Sequence, residues 1–118
     1  MMRAAILHEH GATPELDDFD EPEAGDGHEV VEVLAASLNP VDIAMASGTF
    51  YGGATPLGSV VGKEGIGRTG GGERVYFDMP VKPYGSLAER ALVDAEALFL
   101  TVFFALAAFL VSSRREGG

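Results

Sequence analysis

A few short stretches carry residue types that could do chemistry. Gly65-Ile66-Gly67-Arg68-Thr69-Gly70 matches G-x-G-x-x-G. In a dinucleotide site that loop follows a strand and opens a helix whose N-terminus meets the pyrophosphate. Here Gly71 and Gly72 follow, then the strand-like residues 74–77. No helix can start there, so the run reads as a glycine-rich bend in a β-domain. Residues 58–64 fail as a phosphate loop, with one residue too few between the glycines and Glu64 where a Ser or Thr should bind magnesium. His8 and His10 alternate beyond an apolar run and could face one side. A metal would need further ligands, from His28 and carboxylates alone, so the pair reads as solvated histidines. The acid-rich residues 15–29 lack EF-hand spacing and read as a solvated loop. Lys63-Glu64, set between glycines, has two open readings: a surface ion pair worth little, or part of a cleft wall.

The elements that would position these residues are short. Residues 3–7 read as a strand ending at His8-Glu9-His10-Gly11, and residues 16–20 as a second with Leu16 and Phe19 as its apolar members. Residues 21–28 hold Pro22, Gly25 and Gly27 among acids and form a loop. Residues 29–38, rich in Val and small apolar side chains, are the best strand in the chain. Asn39-Pro40 stops it, and Pro40 suits the first turn of a short helix over 41–46. Ten of the 16 glycines lie between Gly48 and Gly72, a density no long helix survives. Residues 74–77 and 86–93 read as strands, and residues 96–100 continue the latter or start another. Residues 97–111 carry no charge, and Thr101 is their only polar member. Fifteen residues fall short of the ~20 needed to span a bilayer as a helix.

Length and charge bound the function. The chain has 118 residues, enough for one domain, and 47% are apolar, as in a folded soluble protein. Its 18 acids against 8 bases give a net charge of −10, a field that repels phosphate and disfavours nucleic acid and anionic membranes. There is no cysteine, which excludes disulfides, thiolate zinc sites and a cysteine nucleophile. The apolar run 4–7 is too short for a secretory signal, and a cytoplasmic location is expected.

Taken in order, several pieces resemble one family. They are Met2-Arg3-Ala4-Ala5; Ala36-Ser37-Leu38-Asn39-Pro40-Val41-Asp42 with Ser47-Gly48; Gly62-Lys63-Glu64-Gly65-Ile66-Gly67; Gly72-Glu73-Arg74-Val75-Tyr76; and Tyr84-Gly85-Ser86-Leu87-Ala88-Glu89-Arg90. Together they resemble the N-terminal domain of medium-chain dehydrogenases/reductases, in the zinc-independent quinone oxidoreductase branch. The resemblance implies a mainly β, GroES-like fold over residues 1–99, a partly open antiparallel barrel with short helices. Residues 100–118 stand apart as an atypical apolar segment, expected to be helical, and a polar tail. Zinc-dependent relatives place a Cys at the position of Asn39 and a His at that of Lys63, so the resemblance implies no zinc. It assigns Asn39, Asp42, Lys63 and Glu64 to the wall beside nicotinamide and substrate. Asn39 and Asp42 are the catalytic candidates, and Asn39, Lys63 and Glu64 the cofactor-facing ones. Phe50 and Tyr51 are the substrate-side aromatics.

Relatives continue into a Rossmann domain that binds NADPH, and this sequence stops before it. The expectation is a substrate-side domain of an NADPH-dependent reductase for a quinone or other small carbonyl compound. Alone it would be inactive and bind no NADPH. A truncated gene product, a shifted reading frame and a fragment completed by a partner all remain open. The alternative is a non-catalytic interaction module on the GroES-like scaffold, of which a co-chaperonin is one case. A membrane-associated fragment held by residues 97–111 is a weaker third reading. The same uncharged run has no polar face, which predicts self-association.

Overall fold

The structure, a computed structural model, describes residues 1–100. Strand β1 (Met2–Ile6) buries Met2, Ala4 and Ile6 and turns Arg3 outward, the period-two pattern of a half-buried strand. It pairs antiparallel with β2 (Glu15–Phe19), Met2 opposite Phe19 and Ala5 opposite Leu16. Cross-strand partners share a face, which decides the fate of the two apolar residues of β2. Phe19 follows Met2 inward, packs on the Ala4–Ile6–Val60 cluster and meets Tyr84 edge to face at 5.7 Å. Leu16 follows Ala5 and is left 66% exposed.

The second sheet has five antiparallel strands in the order β6-β3-β4-β5-β7. These are β3 (His28–Ala36), β4 (Glu64–Arg68), β5 (Arg74–Asp78), β6 (Arg90–Asp94) and β7 (Leu98–Leu100), with a 3-10 turn at Ala95–Ala97 before β7. β3 pairs with β6 over His28–Glu32 and with β4 over Glu32–Ala36, and its register shifts between Val33 and Ala35. One face buries Val31, Val75, Phe77, Ala91 and Val93 as the main core. Full burial of a side chain such as Phe77 contributes roughly 1.5–3 kcal/mol.

The glycine-rich motif is part of this sheet. Gly65 and Gly67 lie in β4, where a bend was expected. A Cβ on Gly67 would overlap the Glu32 carbonyl oxygen and Val31 Cγ1. One on Gly65 would stand 2.7 Å from the Ala35 carbonyl oxygen and 2.9 Å from Phe77 Cζ. The glycines are there because β3 and Phe77 occupy the space of their side chains. The turn follows at Thr69–Gly72, closed by the Gly72 N–H donating to the Thr69 carbonyl at 2.9 Å.

Residues 86–93 are not one strand. The Ala5 N–H donates to Leu87 O and the Glu89 N–H to Arg3 O, so residues 87–89 run beside β1. From Arg90 the chain pairs with β3 instead. This change of partner joins the two sheets into a partly open barrel. β3 likewise stops two residues short of expectation, at Ala36, because the chain turns into α1 (Pro40–Ser47). Leu100 pairs opposite Val75 and so belongs to the sheet. The apolar segment beyond it, expected to be helical, and the polar tail lie outside the described residues.

Candidate active site at the start of α1

Helix α1 begins where the sequence places proline at the first helical position. The Asp42 carboxylate accepts the Asn39 N–H at 2.7 Å, and the Asp42 N–H donates to the Asn39 carbonyl at 2.9 Å. Asp42 is 6% exposed, so this contact fixes the helix start from inside. It holds the Asn39 carboxamide over β4.

There four side chains meet. Asn39 Nδ2 donates to Glu64 Oε1 at 2.7 Å and to Ser37 Oγ at 3.2 Å. Ser37 Oγ donates to the same Glu64 oxygen at 2.8 Å. The Tyr76 hydroxyl donates to the other oxygen, Glu64 Oε2. Register explains the meeting: Ala36 lies opposite Gly65, and Tyr76 opposite Ile66, which brings the ends of β3, β4 and β5 level. Hydrogen bonds from Tyr76, then Ser37 and Asn39, hold the Glu64 carboxyl below its ordinary range. The same bond to Glu64 pushes the Tyr76 phenol up to about 12. Ser37, Glu64 and Tyr76 line a hollow of about 290 Å³ with Ala35 and Ile66.

Lys63 turns the other way. Its Nζ lies 2.7 Å from Asp78 Oδ1, a bond that raises its pKa. The Lys63–Glu64 ion pair is therefore not formed, since neighbours along an extended chain project to opposite sides. Lys63 and Asp42 line a separate pocket of about 40 Å³ with Tyr84 and Met79. A third, mostly apolar cleft of about 360 Å³ runs beside α1, lined by Ala5, Leu38, Ile43, Val61 and Leu87, with Asp42 as its charged member. The four wall candidates thus divide into Asn39–Glu64 and Asp42–Lys63, linked through the Asn39–Asp42 bond. Phe50 and Tyr51 lie past the far end of α1 with ring centroids 5.0 Å apart, and Tyr51 is 99% exposed.

The histidines part company. His10 Nε2 donates to the Thr55 carbonyl at 2.8 Å, while His8 lies 3.8 Å from Glu15. Among the described residues no group of three or more His, Cys, Asp or Glu is placed to hold a metal, and no helix is long and apolar enough to cross a membrane. Sequence reasoning missed Ser37 and Tyr76. A signal for Tyr76 existed, since Val75 and Phe77 alternate inward and leave it facing away from the core.

No family model matches the chain. Solved structures do. The quinone oxidoreductase from Thermus thermophilus, known also in complex with NADPH, matches 84% of the chain at 35% identity with a TM-score of 0.75. A putative NADPH:quinone reductase from Mesorhizobium loti matches 84% at 29% identity, TM-score 0.73. The chain has a quinone-oxidoreductase-like fold. That fold also matches an alcohol dehydrogenase superfamily protein from Novosphingobium aromaticivorans over 85% of the chain, at 23% identity and a TM-score of 0.74. The chain spans about a third of these three structures: 32%, 36% and 34% of their respective lengths.

Proposed function

We propose that the chain is the GroES-like, substrate-side part of a zinc-independent, NADPH-dependent reductase acting on a quinone or related carbonyl compound in the cytoplasm. One observation carries the reading. The 2.7 Å bond from Asn39 to Glu64 joins the Asn-Pro-Val-Asp turn to the Gly-Lys-Glu-Gly segment, on a fold shared with a quinone oxidoreductase at 35% identity. The described residues fit one end of NADPH. Gly65 and Gly67 lie in a paired strand with no helix after them, so they offer no phosphate cradle. The neutral nicotinamide end suits the hollow beside Asn39 and Glu64.

Bound NADPH supplies the hydride, and the protein supplies position and electrostatics. Asp42 fixes Asn39 by taking its N–H. Glu64, held ionised, fixes the Asn39 amide from the other side. The apolar cleft beside α1 receives a flat ring and excludes water from it. Two features support the zinc-free branch: the Lys63 ammonium has no lone pair to donate and is bound to Asp78, and the Asn39 amide nitrogen is bound to Glu64. With no phosphate cradle seen among the described residues, this part is proposed to carry no hydride transfer alone.

The test is a chimera in which residues 2–100 replace the matching part of the Thermus thermophilus enzyme. It is expected to oxidise NADPH with a quinone, and Asn39→Ala is expected to lower that rate more than the melting temperature. A folded chimera that binds NADPH and reduces no quinone overturns the proposal and favours a non-catalytic module. Residues 97–111 are proposed to drive self-association. Sedimentation of the full chain against one ending at Phe99 tests this, and two monomers of equal solubility would exclude it.

A further inference from the structure

Met79 follows β5 and, among the described residues, is the one non-glycine residue with a positive φ, +53°. That region is costly for an L-residue and persists where neighbours fix it. Two hydrogen bonds do so here: the Met79 N–H donates to the Lys63 carbonyl at 2.8 Å and to Asp78 Oδ1 at 2.9 Å. Asp78 Oδ1 also accepts from Lys63 Nζ at 2.7 Å, so Met79, Asp78 and Lys63 form one bonded unit. Met79 and Lys63 together line the pocket of about 40 Å³. That space is too small for a ligand ring and large enough for one oxygen atom. An ammonium owns three N–H bonds, and among the described residues Lys63 Nζ has Asp78 as its one hydrogen-bond partner. A thioether is only a weak acceptor for the others.

We propose that Met79 is an oxidation site, where hydrogen peroxide converts the thioether to a sulfoxide whose oxygen enters the pocket and accepts an N–H from Lys63. The sulfur lone pair attacks one peroxide oxygen. The S–O bond forms, the O–O bond breaks, and the attacked oxygen passes its proton to the departing one, which leaves as water. Sulfur loses two electrons and the peroxide gains them. A dithiol-dependent sulfoxide reductase reverses the change. Exposure singles out this methionine: Met79 is 57% exposed and Met2 1%, while Met45, which lines the same pocket, is half-buried on α1. The sulfoxide is polar but uncharged, so Lys63 can bind it and keep Asp78. On the reductase reading Lys63 faces the cofactor, and oxidation would alter how its charge is presented there. The site itself does not rest on that reading.

The test treats the full chain with millimolar hydrogen peroxide and follows it by peptide mass spectrometry and by NMR of labelled lysine side chains. Met79 is expected to gain one oxygen about tenfold faster than Met45 or Met2. The Lys63 side-chain signal should shift in step with that gain, with the backbone amide spectrum otherwise kept, and return when a methionine sulfoxide reductase is added. Met1, 80% exposed, is expected to react as well. Met79→Leu separates the two, since it keeps an apolar side chain, loses the sulfur and leaves Met1 to oxidise; its Lys63 signal should stay in place. Equal rates at Met79 and Met45, an unmoved Lys63 signal in the oxidised wild type, or the same shift in Met79→Leu overturns the proposal. So does a general loss of amide dispersion on oxidation, because the pocket would not survive the change. None of these readouts involves hydride transfer, so the chimera tests the reductase reading separately.

Discussion

The sharpest structural test is Gly67→Ala. Gly67 sits in β4 between β3 and β5, and an added Cβ would overlap the Glu32 carbonyl oxygen and Val31 Cγ1. Neither neighbour yields cheaply. The oxygen belongs to the backbone of a central strand, and Val31 is wholly buried in the main core. Overpacking of this kind costs about 1–3 kcal/mol. Reduced freedom of the unfolded chain returns about 0.4–1 kcal/mol, less than the clash. For a domain of this size each kcal/mol moves the melting temperature by about 4 °C, so a net cost of up to about 2.6 kcal/mol gives an expected fall of up to about 10 °C. Gly70→Ala is the control, since a Cβ there meets nothing within 4 Å. It should change stability by no more than about 1 kcal/mol. Thermal melts followed by circular dichroism, with urea titrations beside them, read both. If Gly67→Ala melted with the wild type, the close approach would not be what requires glycine.

Three further outcomes follow from the cluster and the core. Ultraviolet titration should show one tyrosine ionising near pH 12, and Tyr76→Phe should remove it. Because the folded value lies above the ordinary 10, stability from this bond is full below pH 10 and is lost as pH rises toward 12. Glu64 behaves oppositely: its folded pKa lies below 4.5, so its stabilisation is present above that value and is lost as pH falls through the folded one. The acid limb of a pH–stability curve should flatten in Glu64→Gln; an unchanged limb would contradict the hydrogen bonds drawn to that carboxylate. Ser86 is fully buried and its Oγ has no hydrogen-bond partner among the described residues, so Ser86→Ala should leave stability unchanged or raise it by about 1 kcal/mol in urea unfolding.

Much of the fold is legible in local pattern. Short apolar runs mark β1 and β5, a valine-rich run marks β3, and proline after Asn39 marks the start of α1. What local pattern hides is register and partner choice. β4 reads as a bend because glycine packs nothing of its own, and only the presence of Phe77 and the β3 backbone against it makes a strand there reasonable. Residues 86–93 read as one strand because a change of partner at Arg90 leaves no mark in composition. The same limit applies to the site. The resemblance points to Asn39 and Glu64, but their contact depends on Ala36 lying opposite Gly65. Tyr76 and Ser37 join them through that register alone.

The split pairing of β3 also sets an order of assembly. The β4–β5 hairpin closes over a short turn, Arg68 opposite Arg74, at little cost in loop entropy. The other neighbour of β3 arrives far later in the chain, where Glu32 meets Arg90. During synthesis, then, β3 can dock the hairpin while its opposite edge stays open until residues 90–94 have left the ribosome. Until that moment Val31 lacks Ala91 and Val93, and the main core is half built. In refolding followed by pulsed hydrogen exchange, protection is expected first at Ile66 and Tyr76 and last at Val30 and Leu92, with the slow step belonging to the long-range pairing of β3 with β6.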